Sequence, residues 1–289
     1  MSQIQSLIAT QEIIDNLYKD KKIPLTQIQR LSIDPGAFCT LISQIDSTIK
    51  ATVYSDGKHL ILLDTFKNKS FSGFTPKDLK QLCYFNVLEN KQFMLIAALG
   101  AAGTGKTSVA IAKALQSYFV EKKKIYLSKP TVMVQSHENN VFGPVPGDIN
   151  EKYAPYLGSF EIVLNKVLGE NSKHYLEMMF KNKQAEFIPV EFTRGCTFEN
   201  CTFILDEVQN LSWHELKTVL SRIGENSTII LCGDPDQIDT GLTYEQTGLY
   251  KLISSNTFLK SDFTSQIVLT KQYRGKIPDL IYNIDKENK

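Results

Sequence analysis

Residues 100–107, GAAGTGKT, place three glycines, a lysine and a hydroxyl at the spacing that the phosphates of a nucleotide require. Gly100, Gly103 and Gly105 open the backbone to conformations closed to residues with a Cβ, so several N–H groups can turn toward one anion. A helix that starts here offers its positive end to the same anion. Lys106 is then expected on the β- and γ-phosphates of ATP, and the Thr107 hydroxyl on Mg2+. The binding set is Gly100, Ala101, Ala102, Gly103, Thr104, Gly105, Lys106, Thr107 and Ser108. Further on, FILDEVQN ends an apolar run in Asp206-Glu207. The first carboxylate suits the metal, and the second suits a water that must be oriented and deprotonated. LCGDPDQID ends another apolar run and brings Gln237, a neutral amide that can bond the γ-phosphate or the attacking water. Read alone, its Gly-Asp-Pro is equally well a simple turn.

Such groups must be delivered by elements. Residues 93–99 form a continuous apolar run of strand length, as a buried parallel strand should, and 107–119 are apolar at helical spacing. Residues 124–128, 203–205, 228–232 and 267–270 read as further short strands, with a helix over 212–223. The alternation predicts an α/β fold, a mostly parallel sheet with helices on both faces. Before it, 4–18 read as a helix, 50–66 as a β-hairpin turning at Asp56-Gly57, and 77–88 as a helix opened by Thr75-Pro76. Residues 131–190 break the alternation. They hold VFGPVPGD and a helical stretch over 153–180, and read as an insertion on the functional edge. The expected division is a small N-terminal extension, 1–74, and a P-loop ATPase domain, 75–289.

The succession GAAGTGKT, LDEVQN, GDPDQID resembles the PhoH family of P-loop ATPases, relatives of the superfamily 1 helicases. KIYLSKPTVMVQ, GPVPGDINEKYAPY, FTRGCTFENCTFILDEVQN, HELKTVLSRIGENS and LTKQYRGKIPDLI are similar to its intervening segments, so the resemblance spans residues 75–285. It implies a RecA-like fold, Mg2+-dependent ATP hydrolysis, hexameric assembly, and action on RNA or single-stranded DNA. Arg274 in QYRG and Arg222 in LSRIG resemble arginines that reach the γ-phosphate in cis or from a neighbouring subunit, and Arg194 in TRG is a third. The plainer reading of each is a helix-end or surface ion pair, worth under about 1 kcal/mol. Gln81 resembles the helicase glutamine that reads adenine with both faces of its amide; otherwise it is an exposed helix residue. Val208 stands where alanine is more usual. Longer relatives carry a PIN nuclease domain, but 1–74 show no carboxylate cluster, so ribonuclease activity is not carried over. Fifteen residues follow Arg274, too few for a second RecA-like domain. The expectation is a head-to-tail ring in which each subunit covers its neighbour's site.

Net charge is +1, so contact with nucleic acid must come from a local patch. Phe142, Lys152, Tyr153 and Tyr156 interleave aromatic and basic groups suited to stacking and backbone contacts. Lys122-Lys123-Lys124 reads as a solvated helix end or a second such contact. Tyr84 and Phe85 read as core, with stacking on the base as the other reading. Cys39, Cys83, Cys196, Cys201 and Cys232 form no CxxC pair, which argues against a disulfide framework or zinc site, and His137, His174 and His214 lack metal-ligand spacing. No apolar run nears the ~20 residues that span a bilayer, and no signal peptide is evident, so a cytoplasmic protein with no membrane partner is expected. Two rival functions fit the same loop: a nucleotide-gated scaffold with negligible turnover, and a small-molecule phosphotransferase, for which no acceptor pocket is evident.

Overall fold

The computed structural model describes residues 4–28, 33–63, 69–130, 149–169 and 172–277, together with 280, 284 and 287. The N-terminal part contains β1 (Gln5–Ala9), α1 (Gln11–Asp20), β2 (Lys22–Pro24), β3 (Phe38–Ser43), β4 (Lys50–Ser55) and β5 (His59–Leu62). They form one sheet in the order β1-β3-β4-β5-β2. The hairpin is present as β4 and β5, and it lies within this larger sheet. Its left-handed residue is Gly57, φ 89°, and the Asp56 carboxylate accepts from the N–H groups of Lys58 and His59. The single helix expected over 4–18 is a strand followed by a helix. Thr10 caps α1 by accepting from the Ile13 N–H, and the residues before it pair in parallel with β3. Ile14 and Leu17 of the helix are fully buried in a core with Leu41, Val53 and Leu60.

After it come α2 (Leu79–Glu89), β6 (Leu95–Leu99), α3 (Lys106–Glu121), β7 (Lys124–Ser128), α4 (Ile149–Leu168), α5 (Ser172–Lys181) and β8 (Ala185–Phe187). Then follow β9 (Cys201–Leu205), α6 (Trp213–Leu220), β10 (Thr228–Gly233), α7 (Gly248–Ile253), α8 (Asn256–Lys260) and β11 (Thr264–Val268). The strands make a second sheet in the order β11-β6-β10-β9-β7-β8, every pair parallel. Alternate residues of its central strands enter two cores. Ile96, Ala98, Ile204 and Ile230 pack with Phe85, Ile111, Leu115, Phe160 and Met179 of α2 to α5. Ala97, Phe203, Leu205 and Leu231 pack with Leu216, Val219, Leu249 and Phe258 of α6 to α8. Each of the larger side chains contributes about 1.5–3 kcal/mol, and this two-sided burial is why the strands read as continuous apolar runs.

The helical stretch expected over 153–180 is two helices, with Gly169 in the left-handed conformation after α4 (φ 62°). The last strand begins at Thr264, three residues earlier than expected, and β8, α7 and α8 were not foreseen. VFGPVPGD, His137 and Phe142 lie outside the described residues, as do the side chains of Lys152, Tyr153 and Tyr156. Among the described residues no helix is long and apolar enough to cross a membrane.

Candidate functional site

The glycine-rich loop joins β6 to α3. Gly105 enters the helix at φ 94° with no side-chain cap, so the N–H groups of the first turn are left for an anion. Gly100, at φ 139°, lies against β11's continuation: a Cβ there would sit 2.0 Å from the Leu269 carbonyl oxygen. Gly103, at φ 83°, is covered by the aliphatic stem of Arg274, whose Cγ would be 2.8 Å from an added Cβ. The Tyr273 N–H donates to the Gly103 carbonyl at 3.0 Å. The Lys106 ammonium folds back over the loop, donating to the carbonyls of Gly100 and, at 3.0 Å, Ala101. Phosphate oxygens can replace both acceptors, so the cation needs only a side-chain rotation to reach a nucleotide.

The adjacent hydroxyl reaches the acid strand. Thr107 Oγ1 donates to Asp206 Oδ1 at 3.0 Å, joining residues 99 positions apart in sequence. Burial pushes the Asp206 carboxyl above the ordinary carboxylate range, the Glu207 charge pushes it further, and the Thr107 bond opposes both. Beside the pair lies a cavity of about 30 Å³ lined by Ser128, Lys129, Phe160 and Phe187. The buried Ser128 hydroxyl has no hydrogen-bond partner among the described residues. A hydroxyl, an unfavourably buried carboxylate and an orphaned hydroxyl beside a phosphate-sized loop fit Mg2+, which takes one or two protein oxygens and completes its shell with phosphate and water. Glu207 stands next to them in a left-handed backbone conformation, φ 53°. Its Oε1 lies 3.6 Å from Lys129 Nζ and its Oε2 accepts from Gln209 Nε2 at 2.8 Å.

β10 lies between the loop strand and the acid strand, so its tip faces both. The Asp234 N–H donates to Gln209 Oε1 at 3.0 Å, and burial raises the Asp234 carboxyl. Gln237 is exposed on the turn that follows, its N–H bonded to the Asp234 carbonyl. Gln81 is buried, not the exposed helix residue of the plainer reading. Its Nε2 donates to the Thr104 carbonyl and its Oε1 accepts from the Lys77 N–H, both at 2.9 Å. Both ends of the amide are therefore engaged, and reading adenine requires those bonds to be exchanged for the base's. Tyr84 and Phe85 are fully buried core residues.

Arg222 does not join this site. Its carbonyl accepts from the Phe198 N–H beside the Phe198–Ile223 bridge, ahead of β9 and hence at the opposite end of the strands from Asp206. Arg194 is exposed and contacts His214 at 3.3 Å. Sequence reasoning passed over Gln209 and Lys129, which touch Glu207, and Asp234, which opens the turn that carries Gln237. It also passed over Asp78, which caps α2 and accepts from the Tyr273 hydroxyl. The available signal was position: Lys129 and Asp234 are each the first residue after a strand.

A phosphate loop after β6, an acid pair after β9 and the Gly-Asp-Pro turn after the strand between them define a P-loop nucleotide-binding protein of the RecA-like type. The chain belongs to the PhoH-like protein family, whose model matches residues 74–283. It is 39% identical to Protein PhoH of Escherichia coli (strain K12) over 173 residues, 60% of this chain and 47% of that protein. It is 27% identical to Protein PhoH2 of Bacillus subtilis (strain 168) over 242 residues, 82% of this chain and 54% of that one. The crystal structure of Pif1 helicase from Candida albicans aligns with 69% of the chain and 42% of that helicase chain at 17% identity, with a TM-score of 0.33. The chain spans about half the length of the curated relatives it matches.

Proposed function

We propose that this chain binds ATP with Mg2+ and hydrolyses it through a single RecA-like domain beginning near residue 75. The observation that carries the reading is the Thr107–Asp206 hydrogen bond with Glu207 beside it. Lys106 and the loop N–H groups hold the phosphates, and Thr107 and Asp206 hold the metal. When bound, Mg2+ supplies positive charge that offsets what develops on the phosphoryl oxygens. The Glu207 carboxylate orients a water and takes its proton as the water oxygen bonds to the γ-phosphorus and ADP leaves. The Gln237 amide senses that γ-phosphate. Arg274, whose stem lies on Gly103, stabilises it in cis, and Arg222 at the far end of the sheet is left to serve a neighbouring subunit. Kinship with PhoH proteins supports a head-to-tail ring, with a hexamer as the expected size, and coupling to RNA or single-stranded DNA.

The test is single-turnover hydrolysis by wild type and Glu207→Gln, with nucleotide affinity measured in parallel. The amide keeps the shape and loses the base, so the rate falls by about 10²-fold or more while affinity changes little. A variant that hydrolyses ATP at the wild-type rate refutes the mechanism. Turnover with and without poly-U RNA and single-stranded DNA at two salt concentrations identifies the polymer, since phosphate contacts weaken steeply with salt.

A further inference from the structure

Gln209 joins the acid pair to the sensor turn, and the mechanism above gives it no part. It is fully buried, two residues beyond Glu207, in the short 3-10 turn Val208–Asn210. Its Nε2 donates twice, to Glu207 Oε2 at 2.8 Å and to the Gln237 carbonyl at 2.9 Å. Its Oε1 accepts from the Asp234 N–H at 3.0 Å. These three partners admit one orientation of the amide, because a flip would set oxygen against two acceptors and N–H against N–H. The next residue repeats the tie. Asn210 Oδ1 accepts from the Asp239 N–H at 2.8 Å, and its Nδ2 donates to Asp239 Oδ2 at 3.3 Å. Two consecutive amides therefore clasp the 234–239 turn from the acid strand, and the first also holds the carboxylate.

We infer that Gln209 is a positioning residue: it fixes the Glu207 carboxylate in register with the sensor turn, so that the carboxylate's place depends on where the turn sits. The inference rests on the hydrolysis reading. Glu207 Oε2 is held by the amide on one side, while the Lys129 ammonium lies near Oε1 on the other. Without the amide, the lysine is left to draw the carboxylate away from the turn. The buried Asp234 N–H would lose its acceptor in the same step, which loosens the turn that presents Gln237.

The experiment compares wild type, Gln209→Met, Glu207→Gln and the double variant by single-turnover hydrolysis, nucleotide affinity and thermal melting. Methionine conserves length and volume and removes both hydrogen-bonding ends. A misplacement of about 1 Å at a reacting group costs up to about 100-fold in rate. Gln209→Met is therefore expected to turn over about 10- to 100-fold more slowly with nucleotide affinity within about threefold of wild type. In the Glu207→Gln background the same change is expected to cost clearly less than in wild type, because the part that acts through the carboxylate is already lost and residues acting as a unit are not additive. Gln209→Asn, which withdraws the amide by one methylene, keeps the test alive if the methionine variant does not fold. It carries the same pattern at about three- to tenfold. Wild-type turnover in either folded variant overturns the inference. So does an equal further loss in the Glu207→Gln background, which would mark a general structural role. If Glu207→Gln itself turns over like wild type, the hydrolysis reading fails, and that outcome is separate from a silent Gln209 beside an inactive Glu207→Gln.

Discussion

Gly100 and Gly103 belong to one motif, yet alanine at the two positions should do different damage. Both residues have positive φ, 139° and 83°, so a Cβ at either costs about 1–3 kcal/mol of backbone strain. The surroundings then separate them. At Gly100 the new Cβ meets the Leu269 carbonyl oxygen at 2.0 Å, and that oxygen belongs to backbone continuing from β11. The loop and the neighbouring strand must part by about an ångström, an overpacking cost of about 1–3 kcal/mol more. At Gly103 the nearest atom is Cγ of Arg274 at 2.8 Å, part of a flexible, exposed stem that can swing aside. The difference of about 1–3 kcal/mol places the melting temperature of Gly100→Ala below that of Gly103→Ala by roughly 2–12 °C, at about 2–4 °C per kcal/mol for a chain of this size. Gly103→Ala should remain folded and show its defect in turnover, because Arg274 is displaced from the loop. Calorimetry and single-turnover kinetics on the two variants provide the check. Equal stabilities, or a less stable Gly103→Ala, would refute the packing argument.

Two further predictions concern the acids and the arginines. The native Asp206 carboxyl titrates above its ordinary value of 3.8, so the folded state holds that proton more tightly and the charged form costs stability at neutral pH. Without Mg2+ or nucleotide, Asp206→Asn should therefore melt higher than wild type at pH 7, and the gap should close as pH falls through the raised native value toward 3.8; a lower-melting variant at pH 7, or a pH-independent gap, contradicts this. For the arginines, mixing Arg222→Ala subunits with Glu207→Gln subunits should restore part of the lost turnover, because the second lends its Arg222 to the first. Arg274→Ala should not be restored in this way, and rescue of both or neither by a mixed assembly would reverse or remove the cis and trans assignments.

Much of the fold was legible because its signals are local. The strands of the parallel sheet are buried on both faces, so β6, β7 and β10 appear as apolar runs with boundaries within about two residues of those observed. The loop, the acid pair and the Gly-Asp-Pro turn each occupy one short segment, so each could be picked out before their meeting place was known. The N-terminal strand was not legible: five residues satisfy a helical and a strand periodicity equally, and pairing with β3 decides between them. α7 and α8 have six and five residues, too few for a periodic stripe. Gln209 escaped notice because its meaning lies in bonds to residues 25 and 28 positions away, which composition and spacing do not express.

The arginines show what a parallel sheet adds to such a reading. When all strands run the same way, all their C-terminal ends lie on one edge, and a residue just after a strand is brought there whatever its place in the chain. Gly100 follows Leu99 of β6, Lys129 follows Ser128 of β7, Asp206 follows Leu205 of β9 and Asp234 follows Gly233 of β10. Arg274 comes on the stretch that leaves β11 and lies on Gly103. Arg222 comes before β10 instead, and its segment meets the stretch leading into β9 at the N-terminal end of the strands; Arg194 lies between β8 and β9 and touches His214 at the start of α6. Arg274 and Arg222, in similar short motifs, therefore had different prospects of meeting a nucleotide within one chain, and strand order separates them. An arginine from the far edge can serve a phosphate only in another subunit, so any role for Arg222 in turnover requires assembly.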